Sequence, residues 1–315
     1  MEISGGLIIS GGSSIVGPNG TGGGGGSPSP TPSYSFQGSN YGYTSGGYRG
    51  SVSNVIDKFS FTSDGNATDV GDLTEARYNV SGQSSSESGY TSGGANPAKT
   101  TIDKFAFASD GNATAVGNLT QARSQVAGQS SSASGYASGG NPRTNTIDKF
   151  SFSSDSDATD VGDLTETKKG TAGQSSSSSG YTSGGNIPGN SNTIDKFPFS
   201  SDGNATDVGD LTVSRELAAG QSSTASGYTS GGDPTTNTID KFPFASDANA
   251  TDVGDLTVAR KKGAGQSSTA SGYTSGDGPN PGATIDKFSF SSDGNATDVG
   301  DLTVGGESFG GGQQY

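Results

Sequence analysis

The sequence predicts an all-β protein built from stacked repeats, and three observations carry that reading. First, Ile-Asp-Lys-Phe occurs six times, at Ile56–Phe59, Ile102–Phe105, Ile147–Phe150, Ile194–Phe197, Ile239–Phe242 and Ile285–Phe288. Successive Asp positions differ by 46, 45, 47, 45 and 46 residues. Second, Gly-Tyr-x-Ser-Gly recurs in step, with its Tyr at 43, 90, 136, 181, 228 and 273. Third, each unit offers strand-sized pieces of alternating pattern and no sustained helical periodicity. A period of this length marks one supersecondary unit that cannot bury its own core and must stack on its neighbours.

Residues Ala172–Thr212 serve as the specimen unit. Piece a is Ala172-Gly-Gln-Ser-Ser-Ser, and piece b starts at Gly180-Tyr-Thr-Ser and ends at Gly184-Gly185. Piece c is Thr193-Ile-Asp-Lys-Phe-Pro-Phe, and piece d is Thr206-Asp-Val-Gly-Asp-Leu-Thr. In piece c, Phe197 and Phe199 fall on one face and Ile194 on the other. Apolar groups on both faces suit a small sheet sandwiched between two others. Four short strands per unit is the pattern of a propeller blade, and six copies give six blades. A linear β array is the alternative. The last copy ends at Tyr315, where its next strand a would begin. The piece Tyr34–Asn40 precedes the first Gly-Tyr-x-Ser-Gly and is expected to supply that strand, so that blade one is sealed by strands from both ends, or the neighbouring edges of the first and last copies meet.

The Gly-Gly that ends piece b, the Tyr three residues before it and the later Leu-Thr followed by Arg or Lys resemble the kelch motif. The resemblance covers residues 34–315 and implies a six-bladed kelch-like β-propeller. It departs at the kelch Trp, near whose position stand Val70, Val116, Val161, Val208, Val253 and Val299. Smaller contacts between blades are the expected consequence.

Composition alone points elsewhere. The chain is 27% hydrophobic with 55 Gly, values close to those of disordered segments. The repeated apolar pattern overrides them. A formal net charge of −14 argues against a nucleic-acid partner. No apolar run reaches the length of a membrane span. Residues 1–33 read as a Gly-rich extended arm, separate from the propeller of 34–315. The arm holds two apolar patches, Leu7-Ile8-Ile9 and Ile15-Val16, which suit an anchor added to a partner's surface. It lacks the basic then apolar order of a signal peptide, so export by another route is expected, such as release of a virus particle.

Chemistry-bearing motifs are sparse. With no Cys and no His, the usual nucleophile–base pairs and zinc sites cannot form. The Asp residues sit at repeat-invariant places, whereas an active site is asymmetric. The expectation is a non-enzymatic protein with no metal and no cofactor. The turn Asp202-Gly-Asn-Ala-Thr-Asp reads as one in which Asp and Asn bond their own backbone, with calcium as the rival. Asn-Ala-Thr at Asn66, Asn112, Asn204, Asn249 and Asn295 is also a glycosylation sequon, but its fixed turn position favours turn chemistry. The Asp and Lys of piece c are expected to pair around the ring.

Alternating strand directions put the b–c and d–a loops on one face and the a–b and c–d loops on the other. The copies differ almost only on the first face. Arg49, Arg77, Lys99, Arg123, Arg143, Lys168, Lys169, Arg215, Arg260, Lys261 and Lys262 fall there, for a net +5 against the acids of that face. The opposite face carries a net −13 in its turns. The expected binding surface is therefore a variable basic face, made of those cations with Tyr78. The Gly-rich Ile patches and the Gly-Tyr-Thr-Ser-Gly-Gly repeats resemble tail-fibre-like or decoration proteins of tailed phages, including cyanophages. That resemblance implies a virion structural protein whose arm (Leu7, Ile8, Ile9, Ile15, Val16) docks to other virion proteins. The propeller face would then meet the particle or a host surface glycan. A secreted lectin-like module binding anionic glycans is the alternative, and an intracellular kelch-like adaptor stands behind it.

Overall fold

The computed structural model describes residues 37–277, 282–303 and 310–315, with Arg49 described by its backbone only. The proposed anchor residues Leu7, Ile8, Ile9, Ile15 and Val16 lie outside the described residues. The described chain folds as six antiparallel four-stranded sheets, arranged as the blades of a propeller. Blade four runs Ala172–Ser175, Ser179–Ser183, Thr193–Pro198 and Thr206–Asp210 from the axis outward, matching pieces a to d. The inner strands of the others are Gly311–Gln314 (blade one), Ser81–Ser84, Ala127–Ser130, Ala219–Ser222 and Ala264–Ser267. Each packs beside the next in a closed circle.

Blade one is sealed by strands from both ends of the chain, as expected, but the donor of its inner strand differs. Blade one takes its inner strand from the C-terminus: Gly311–Gln314 pairs with Tyr41–Arg49, Gln313 opposite Tyr43. In blade two Gln83 stands opposite Tyr90 in the same register. The expected donor segment contributes less. Gly38 makes a lone parallel bridge to Ser268, and Gln37 donates to the Ser222 carbonyl at 3.2 Å. The closing strand therefore begins at Gly311, four residues before the end.

The core consists of six apolar clusters, each lying between two blades. Phe197 and Phe199 pack on Tyr136 of blade three, while Ile194 packs with Phe242 of blade five. The opposed faces of piece c thus become the two sides of a blade. The Tyr of each strand b meets the paired Phe residues of the next blade, as Tyr136 stacks on Phe199 at 4.9 Å. Val70, Val116, Val161, Val208, Val253 and Val299 are half-buried against these clusters.

Two glycines per unit set the spacing of the blades. A Cβ on Gly173 would lie 2.2 Å from the Gly128 carbonyl oxygen of the preceding inner strand. Gly82, Gly128, Gly220, Gly265 and Gly312 repeat that contact around the axis. On the outer strand, a Cβ on Gly162 would lie 2.3 Å from the Gly203 oxygen of the next blade. No side chain fits at either place.

Candidate functional site

The b–c and d–a loops do share a face. Backbone bridges Tyr78–Ala95, Ser124–Asn141, Lys169–Asn186 and Glu216–Asp233 tie the d–a loops of blades one to four to the b–c loop of the following blade. Where the cations of that face sit departs from the sequence reading.

Arg77, Arg123, Lys168, Arg215 and Arg260 are at most 2% exposed. Each turns inward and pairs with the Asp of Ile-Asp-Lys-Phe in the next blade. The distances are 3.0 Å for Arg77–Asp103, 2.9 Å for Arg123–Asp148, 2.9 Å for Lys168–Asp195, 3.0 Å for Arg215–Asp240 and 2.7 Å for Arg260–Asp286. The loop Thr also donates to that Asp, as Thr120 does through its N–H at 2.9 Å and its Oγ1 at 2.7 Å. Arg123 further donates to the Thr146 and Ala137 carbonyls. A planar guanidinium serves several acceptors at once, which favours Arg here. Lys168 reaches its Asp, but neither Lys168 Nζ nor Asp195 Oδ2 makes an aligned hydrogen bond. Burial lowers the pKa of Arg77, Arg123 and Arg215, and the paired Asp opposes that shift. These five cations are latches between blades and do not belong to an exposed basic surface.

The remaining candidates do reach that face. Tyr78 is half-buried and tilts against Tyr48 with ring centroids 5.6 Å apart. Lys99 pairs with Glu75, and Lys261 with Asp233 at 3.1 Å. Arg143 is exposed and donates to the Asn186 carbonyl at 3.1 Å. Lys169 and Lys262 are half-buried. Burial raises the pKa of Glu216, whose carboxylate accepts from Asn186 Nδ2, and nearby Lys169 counters the shift. Among the described residues, Lys99, Arg143, Lys169, Lys261 and Lys262 thus meet Glu75, Glu166, Glu216, Asp233 and Asp277. The face is balanced rather than basic.

The Asp and Lys of piece c do not pair with each other. They alternate across the strand, so the Asp enters the latch and the Lys points to the opposite face. There each Lys meets a turn Asp of the following blade, as Lys149 meets Asp202 at 2.9 Å and Lys287 meets Asp64 at 2.9 Å. The turn Asn bonds the neighbouring blade instead of its own backbone: Asp163 N–H donates to Asn204 Oδ1 at 3.0 Å. The second Asp does follow the expected pattern, Asp207 accepting from Gly209 N–H at 3.1 Å. Among the described residues no group of three or more acidic side chains is placed to hold a metal ion.

One stitching residue went unread in the sequence. Gln174 Nε2 donates to the Tyr228 carbonyl of blade five at 3.0 Å, and Gln83, Gln129, Gln221, Gln266 and Gln313 repeat the bond around the ring. The signal was present in the invariant Gly-Gln of piece a.

At the axis the loop face opens into a shallow cavity of about 70 Å³. It is lined by Asn79, Gln125, Gly170, Leu217 and Lys262, by the residue that follows each of them, and by Gly310. Below it lies an axial space of about 130 Å³ lined by the inner strands. No protein-family model and no curated protein matches this chain. Among the described residues no helix is long and apolar enough to cross a membrane.

Proposed function

We propose that the chain is a non-enzymatic structural protein of a phage virion. Its arm docks to other virion proteins, and its kelch-like propeller is carried as a decoration or adhesion module. The observation that carries the module reading is the division of labour between copies. Residues common to the repeat are committed to blade boundaries: Asp and Arg in the latch, Lys and the turn Asp on the far face, Gln and Tyr near the axis. Residues that differ gather on the loop face and around its axial mouth. A frame that uses its charged groups for its own assembly, and individualises one face, suits display and recognition. The resemblance of the Ile patches and Gly-Tyr-Thr-Ser-Gly-Gly repeats to phage tail-fibre-like and decoration proteins supplies the particle.

The test is immunogold imaging of purified native particles with an antibody against the propeller. Labelled particles are the expected result, and particles free of the chain overturn the assignment. Among the described residues the loop face is balanced in charge, which favours this reading over a lectin-like module for anionic glycans.

A further inference from the structure

We infer that Lys168 and Asp195 join through a side-chain amide, a covalent cross-link between blades three and four. The inference concerns the frame of the propeller and holds whether or not the chain belongs to a virion.

The five latches follow one plan, with one exception. Arg77, Arg123, Arg215 and Arg260 each meet Oδ2 of their Asp. In these four, the backbone N–H of the loop Thr donates to the same oxygen, from Thr74 at 3.0 Å, Thr120 at 2.9 Å, Thr212 at 3.0 Å and Thr257 at 2.9 Å. Each guanidinium also donates to a backbone carbonyl, of Thr91, Ala137, Thr229 and Thr284 in turn. The lysine latch has neither support. Lys168 Nζ and Asp195 Oδ2 stand 2.9 Å apart, both side chains are fully buried, and neither atom makes an aligned hydrogen bond.

As an ion pair this arrangement is poor. Two charges taken out of water are compensated only when the geometry is good and further hydrogen bonds serve them. The same features suit a condensation. A site closed to water favours a neutral amine beside a carboxylic acid over ammonium beside carboxylate. Passing one proton from Nζ to Oδ2 creates that neutral pair. The free amine is a nucleophile, and the fold already holds it against the carboxyl that it attacks. An arginine stays protonated, so the other four latches cannot react in this way.

Thr165 completes the site. Its Oγ1 donates to Asp195 Oδ1 at 2.5 Å, the oxygen that gains negative charge as Nζ adds to Cγ. The Nζ–Cγ bond forms and the Cγ–Oδ2 bond breaks. Oδ2 leaves as water, carrying two of the three ammonium protons, and the third stays on the amide nitrogen. Nothing is oxidised or reduced, and no further reactant is consumed. The amide keeps the Thr165 bond on its carbonyl and leaves no charge in the core. The chain has no Cys, so disulfides cannot fasten its blades, whereas an amide forms in a reducing or an oxidising compartment alike.

The test is the mass of the intact chain, denatured after purification. The expected value is one water below that of the sequence. Trypsin should spare the bond after Lys168, and the peptide that holds Lys168 should emerge joined to the peptide that holds Asp195. Lys168→Arg supplies the cation used by the other four latches, so it should fold and show the full mass of its sequence. The digest of the parent decides the matter even where the variant fails to fold. A parent at full sequence mass after prolonged incubation overturns the proposal. A digest in which the two peptides separate does the same. So does a water loss that persists in Lys168→Arg, because Asp-Gly pairs such as Asp202-Gly203 also lose water by closing to a succinimide. None of these outcomes alters particle labelling by antibody.

Discussion

Asp148 shows what one residue of the repeat does. It is fully buried and accepts from Thr120 and from Arg123, both donated by the preceding blade. Removing either charge strands the other in the core, so Asp148→Ala or Arg123→Met should each cost about 3–5 kcal/mol. The double change Asp148→Leu with Arg123→Met should cost clearly less than the sum, since no unpaired charge remains. Urea denaturation of the four proteins checks this, and additive losses would mean the two groups do not act as a pair. The Asp was legible in the sequence as a repeat mark, but its partner was not. A charged side chain in a variable loop ordinarily faces water, so Arg123 and Arg143 were read alike. The one turns into the neighbouring blade and the other stays exposed. The difference is positional: Arg77, Arg123, Lys168, Arg215 and Arg260 all stand four residues after the strand-d Leu, a spacing that Arg143 lacks.

At the scale of elements, the strand Gly311–Gln314 completes blade one. Its Gln313 donates to the Tyr90 carbonyl at 2.9 Å, and Gly312 packs on Gly265 where the circle meets blade six. Deleting residues 311–315 would leave Tyr41–Arg49 as an unpaired inner edge and break the axial ring. Such edges invite pairing with other chains. The truncated protein should melt well below the parent and elute as oligomers on size exclusion. A monomeric variant of unchanged melting temperature would show that the strand is dispensable. The four pieces of every blade were legible from apolar alternation and Gly pairs. The closing strand was not, because Gly311-Gly312-Gln313-Gln314 has lost the Ala and Ser that mark Ala264-Gly-Gln-Ser. Only the Gly-Gln pair survives, and the axial packing and the bond to the next blade require only that pair.

At the scale of the molecule, the ring redistributes the charge that the sequence displays. The latch cations leave the loop face and neutralise buried Asp residues, and the six strand-c Lys offset acids on the far face. The loop face becomes neutral among the described residues, and the acidity of the chain resides in the turns and outer strands. The location of variability on one face was legible from loop lengths and strand alternation. The electrostatic character of that face was not, since it depends on which side chains turn inward. The positive φ at Gln125, Leu217 and Lys262 was equally hidden, because it contradicts the usual preference of those residues. The claim that the loop cations hold blades together rather than meet a partner is tested most directly by passing the intact chain over a sulfated polysaccharide resin at low salt, where weak charge attraction is least screened. The expected result is passage in the flow-through, for the parent and for Lys262→Gln alike. Retention released by salt would contradict it.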